Sequence, residues 1–135
     1  MQLAYAILAD AAEISANGKI SMLGGEVTEI TAPVFPAFPI HLAFIVKLLL
    51  QPEDSQKEHL LQIKVASSAP SLQPDVEMPF MPQDTGERPL KFLIVIQSPI
   101  TVFPQPGVYE FRFLVDGMDL GSTVVRLKEA STSQP

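Results

Sequence analysis

From Val108 to Val115 the side chains alternate: Tyr109, Phe111, Phe113 and Val115 fall on one side, Glu110 and Arg112 on the other. A period of two belongs to an extended strand with one face buried and one wet, and a helix cannot sort residues this way. The pattern recurs over 60–66, where Leu61, Ile63 and Val65 oppose Gln62 and Lys64. It returns over 90–97, with Leu90, Phe92, Ile94 and Ile96 inward, and over 121–128, with Thr123, Val125 and Leu127 against Arg126 and Lys128. Residues 40–50 place Ile40, Leu42, Phe44, Val46, Leu48 and Leu50 on one face, with His41, Ala43, Ile45, Lys47 and Leu49 on the other. Turn pairs stand between the runs: Asn17-Gly18, Gly24-Gly25, Thr85-Gly86, Pro106-Gly107 and Asp116-Gly117. Thirteen prolines exclude long helices, because each removes a backbone donor and blocks the preceding turn. Three of them make an extended connector of Ala32–Pro39, and four interrupt 70–82, which predicts an irregular loop or a poorly paired edge strand there.

Residues 3–14 admit two patterns. Leu3, Ile7, Ala11 and Ile14 share a helical stripe, and the alanine content favours helix. Leu3, Tyr5, Ile7 and Ala9 equally share one face of a strand. The segment from Asn17 to Gly25 has the look of a hairpin's return arm, and that favours strand.

Seven or eight short strands with turns between them predict an all-β, immunoglobulin-like sandwich of two antiparallel sheets. Gly107-Val-Tyr109-Glu-Phe111 resembles the tyrosine corner of such sandwiches, in which the phenol bonds back to nearby backbone. One sandwich domain is expected over 1–129, with a disordered tail over 130–135. Ala6-Ile-Leu-Ala-Asp10, Asn17–Gly25, Ala32–Leu42, Pro106–Phe111 and Val115-Asp-Gly117 together cover much of the chain. On these stretches the chain resembles a family of short bacterial proteins of unknown function with immunoglobulin-like folds. The resemblance implies a fold and brings no catalytic residue with it.

Composition closes several functional classes. There is no cysteine, so disulfides, thiolate metal sites and cysteine nucleophiles are excluded. The net charge is −6, without a basic run, which offers no footprint for a phosphate backbone; nucleic acid is not the expected partner. The longest apolar run, Leu42–Leu50, is too short to span a bilayer and carries Lys47. The start of the chain lacks the positive residues of a signal peptide, and Asp10 ends its apolar stretch, so a cytoplasmic protein is expected.

Chemical sites fare no better. Asp116-Gly-Met-Asp-Leu-Gly121 supplies two carboxylates in six residues, too few oxygens for calcium, while Asp-Gly is a favoured hairpin pair; a turn is expected. His41 and His59 have no histidine at metal-ligand spacing, and each reads as a surface or hydrogen-bonded imidazole. Ser98 and Ser67-Ser68 lack a nucleophile elbow. The carboxylate pairs Asp10 with Glu13 and Glu53 with Asp54 read as solvated acids, since sugar sites want aromatic platforms and this chain has no tryptophan. No catalytic residue, metal or cofactor is predicted.

One feature exceeds a bland reading. Ala43, Ile45 and Lys47, with Leu93 and Val95, form a largely apolar outward face, and such a face meets a partner, a second copy, or another part of its own chain such as 67–89. The expected function is a non-catalytic protein-interaction or assembly module, contacting another protein or itself through this face or an edge strand. A charge at Ile45 or Val95 should then abolish assembly and leave the monomer folded. Two alternatives are a small-molecule or carbohydrate binder using the end loops, and a self-assembling structural subunit.

Overall fold

The computed structural model describes residues 1–16, 19–25, 27–37, 42–67, 76–97, 103 and 105–130. Asn17-Gly18, Ile40, His41, Ser68, the prolines at 70 and 74, Ser98 and the tail beyond Ala130 lie outside the described residues. Ten strands follow in chain order: β1 Gln2–Ala9, β2 Ala11–Ile14, β3 Ile20–Leu23, β4 Glu29–Ala32, β5 Ala43–Leu50, β6 His59–Ser67, β7 Val76–Phe80, β8 Leu90–Gln97, β9 Gly107–Val115 and β10 Met118–Glu129. A single 3-10 turn, Pro52–Asp54, follows β5.

Two sheets face each other. One is three-stranded, in the order β1-β5-β8; the other is five-stranded, in the order β4-β10-β9-β6-β7. Between them lie the inward faces read from the alternation. Phe44, Val46 and Leu48 of β5 and Leu90 and Ile94 of β8 pack against Leu61 and Ile63 of β6, Tyr109, Phe111 and Phe113 of β9, and Val125 and Leu127 of β10. Phe44 meets Phe111 edge-on with ring centroids 5.0 Å apart and Phe113 likewise at 6.0 Å, a geometry that sets ring edges against ring faces. The chain is thus an all-β sandwich, as the alternation predicts.

Tyr109 forms the expected corner. Its phenol donates to the Gln105 carbonyl at 2.6 Å, and the buried ring packs edge-on to Phe103 at 5.0 Å. Asp116 and Gly117 take φ of 52° and 83°, so Val115 pairs directly with Met118 across a two-residue turn. Positive φ at both central positions matches the right-handed twist of the arms, which is why Asp-Gly serves here.

Three expectations need amendment. First, β4 runs parallel to β10, pairing Glu29 through Ala32 with Arg126 through Glu129, so the second sheet is mixed. Arg126 N–H to Thr28 and Ala130 N–H to Ala32 extend that ladder at both ends. Second, residues 3–14 are extended, but as two strands. The chain bends at Asp10, whose N–H reaches the carbonyls of Leu23 and Gly24, and only β2 pairs with the return arm β3. Gly24 is required at that bend, since it has φ 59° and a Cβ would come 2.1 Å from the Asp10 carboxylate.

Third, the outer face of β1-β5-β8 is covered by its own chain over half its length. The β2-β3 hairpin lies on it: Ala12 packs with Ala9, Ala43 and Ile45, and Ile20 joins their margin. Ala43 and Ile45 are both 0% exposed. Within the proline-bearing segment 67–89, β7 pairs with β6 as an edge of the other sheet, with Pro79 tolerated there, while residues 68–75 lie outside the described residues. Phe80 stacks on Phe92 at 5.1 Å. A lysine at position 45 would therefore bury an ammonium among alanines, at a cost of several kcal/mol. Ile45→Lys should yield no cooperatively folded protein, whereas Val95→Lys, at a half-buried position whose aliphatic stem can lead the charge to water, should keep the wild-type circular dichroism and a cooperative urea transition. Equal stability of the two variants would contradict the hairpin's placement.

Candidate functional site

The five face residues named from the sequence separate into two groups. Ala43 and Ile45 are sealed beneath the hairpin, and Val95 lies half-buried at its margin. Lys47 and Leu93 stand beyond its tip. In ladder register Tyr5 faces Lys47 across β1 and β5, and Lys47 faces Leu93 across β5 and β8, so the three form one row on the outer face. The Lys47 ammonium rests 5.7 Å from the centre of the Tyr5 ring, a cation–π contact that holds it along the sheet. Around this row lies an open groove of about 450 Å³, completed by Lys19, Ile20, Glu87 and Lys91.

The groove opens beside β8, and β8 is an edge. Sheet edges expose unpaired N–H and C=O groups and natural proteins blunt them with short strands, prolines, charges or covers. Three of the four edges here are managed so. β4 has four residues, β7 carries Pro79, and β1 is met by Val27, whose N–H donates to the Leu8 carbonyl at 2.7 Å. β8 is eight residues long, contains no proline, and carries one charge, Lys91. Among the described residues nothing pairs with its outer side. Its side chains are apolar on both faces: Phe92, Ile94 and Ile96 toward the core, Leu93 and Val95 outward. The hairpin is tied to its far end, where the Gln97 side-chain amide donates to the Ala12 carbonyl.

A second cluster lies at one end of the sandwich, around His59. This imidazole is 8% exposed and uses both nitrogens: Nδ1 is 2.6 Å from an Asp116 carboxylate oxygen and Nε2 is 2.7 Å from the Asp54 carbonyl. Both partners can only accept, so both nitrogens must donate and the ring is an imidazolium. Burial opposes that charge, but the hydrogen bonds to Asp116 and to the Asp54 carbonyl, with the attraction of both carboxylates, outweigh it and raise the His59 pKa above 6.5. Burial likewise opposes the Asp116 carboxylate; the His59 hydrogen bond, the Leu60 N–H at 2.9 Å and the imidazolium charge outweigh it and hold its pKa below 3.8. The adjoining cavity is about 180 Å³, below the roughly 300 Å³ where ligand pockets begin. With neither nitrogen free to take a proton from a substrate, the cluster fastens the β9-β10 turn to the loop before β6.

The same holds for the other acid of the turn. Asp119 accepts from the Gly121 N–H at 3.0 Å and from Arg112 at 2.8 Å, so the Asp116–Gly121 stretch is a turn whose carboxylates bond within the fold. Among the described residues no three histidine, aspartate or glutamate side chains gather as a metal ion would need, and no helix is long and apolar enough to cross a membrane. Sequence reasoning placed Lys47, Lys91 and Leu93 on this outward face but did not bring Tyr5 or Lys19 beside them, and it missed the pairing of His59 with Asp116.

The His59–Asp116 pair has a defined pH signature. A raised imidazole pKa contributes stability in full below 6.5 and loses it as pH rises through the folded value; a lowered carboxylate pKa contributes above 3.8 and loses it as pH falls. The contribution is therefore largest between these two limits. Unfolding free energy in urea should fall by about 1 kcal/mol on the alkaline side, a small figure because Asp116 is half exposed. Asp116→Asn keeps a turn-compatible residue and should flatten that slope; an unchanged slope in the variant would show that the pair is not the source.

No curated protein and no solved structure matches the chain at a meaningful level. A family model does match, over residues 4–128, which takes in every described strand apart from the outermost residues of β1 and β10. The chain belongs to a family of unknown function (DUF6941).

Proposed function

We propose that this protein is a non-catalytic interaction or assembly module that receives an extended segment of a protein partner along β8. The observation that carries the reading is the contrast among edges: three are shortened, interrupted by proline or covered, and β8 is long, apolar on both faces and open among the described residues. A segment laid there gains main-chain hydrogen bonds along the strand, while its alternate side chains meet Leu93 and Val95 on the outer face. The outer-face contact expected of Ala43 and Ile45 passes in this reading to the hairpin, and Lys47, Leu93 and Val95 remain at the docking surface.

Supporting a binding role over chemistry, His59, the one buried histidine among the described residues, has both nitrogens engaged. The Tyr109 corner supports an immunoglobulin-like relationship, and a cysteine-free composition fits a bacterial cytoplasm. Capture of tagged protein from the lysate of its own host, read by mass spectrometry beside light scattering of the protein alone, tests the proposal. Wild type should retain a defined protein, or its own untagged copy, that Val95→Lys loses while staying folded. Identical captured sets from both, with a clean monomer at high concentration, would contradict it.

A further inference from the structure

The groove beside β8 is chemically unlike the rest of the molecule. A chain with nine basic residues and a net charge of −6 places three lysines, Lys19, Lys47 and Lys91, around one opening, with Glu87 the single acid among the described residues that line it. They come from three places: the residue before β3, the middle of β5 and the edge strand β8. Tyr5, Ile20 and Leu93 supply the apolar part of its lining. At long range an acidic protein repels anions, but beyond about 8–10 Å that field is screened at physiological salt, so the local charges of the groove, with Lys91 at the strand edge and Lys47 behind it, decide what settles there.

We infer that the segment received by β8 is acidic, an extended polypeptide that sets a carboxylate opposite Lys91 on the outer face. This inference rests on the strand-addition reading and names the partner's chemistry. An added strand lies roughly 4.8 Å beyond β8, and its side chains alternate between the two faces. A glutamate directly opposite Lys91 forms a cross-strand ion pair on the outer face, and opposite charges are the favoured pair at such positions. Lys47, one strand further in and drawn toward β1 over the Tyr5 ring, adds positive charge behind this pair.

Two other occupants fit less well. In a second copy paired β8 to β8, Lys91 would find no acid, because Leu90–Gln97 contains none and brings a second Lys91 to the same surface. A small anion would want donors converging on one point, whereas Lys47 is drawn over the Tyr5 ring and the three lysines stand on separate elements around a wide, shallow opening. Continuity of the groove with an open strand edge favours a polypeptide.

Three blocked octapeptides test this, each with valine at alternate positions and glutamate, glutamine or lysine between, titrated into 15N-labelled protein. The glutamate peptide should shift and protect the amides of residues 90–97, bind at least ten-fold more tightly than the glutamine peptide at low salt, and weaken as salt is raised. Lys91→Glu, a change at an exposed position, should cost the glutamate peptide at least ten-fold and let the lysine peptide bind instead. Equal binding of the glutamate and glutamine peptides at β8 would leave strand addition standing and overturn the acidic partner. A glutamate peptide that perturbs Lys47 and Tyr5 without protecting β8, and is displaced by citrate, would reduce the groove to a small-anion site and overturn the inference. No effect of any peptide on β8 would overturn both readings.

Discussion

β5 is apolar on both faces, and most of the molecule is arranged to keep those faces from water. As the middle strand of a three-stranded sheet it presents Phe44, Val46 and Leu48 to one side and Ala43 and Ile45 to the other, all fully buried. Each large side chain so buried contributes about 1.5–3 kcal/mol. The five-stranded sheet covers the inner face. A single outer layer is not available, because every long strand is already used, so the chain folds back the four-residue arms of β2 and β3 as a lid. Small residues make that possible. Ala9, Ala12 and Ala43 let the hairpin approach closely, and bulkier side chains would hold it away.

The lid is shorter than the face it covers, and the docking surface we propose is what it leaves open. Beyond its tip the row Tyr5, Lys47, Leu93 is the first not sealed, and the residues change there from alanine and isoleucine to lysine and tyrosine. That change of chemistry coincides with a strand edge that no described residue pairs with, while the opposite arrangement prevails at the end loops. There the His59 imidazolium is held by Asp116 and the Asp54 carbonyl, and the turn and loop are pinned together. One surface is built to be closed and the other is left open.

Features set by neighbours in sequence were legible from it. The alternation in 108–115 marks the buried face of β9 correctly, and Gly107 to Phe111 announces the Tyr109 corner, because both follow from local backbone geometry. What depends on distant parts of the chain was not legible. Strand character in 3–14 could be read, but its division at Asp10 follows from contacts with Leu23 and Gly24. The outward face of β5 could be read, but its cover could not, since nothing local tells Ala12 that it will rest on Ile45. His59 and Asp116 stand 57 residues apart, and the groove joins positions 5, 19, 47 and 91. Single lysines scattered through an acidic sequence give no warning that they will converge.

The account turns on β8 having one paired and one open side, and amide hydrogen exchange of residues 90–97 in dilute, monomeric protein measures that directly. In an antiparallel edge strand successive amides point alternately toward the partner and away from it. Protection should therefore alternate along β8, with amides directed at β5 exchanging only on wider unfolding and those between them exchanging fast. Uniform protection from Leu90 to Gln97 would mean that another segment already occupies the edge, and the central claim would fall.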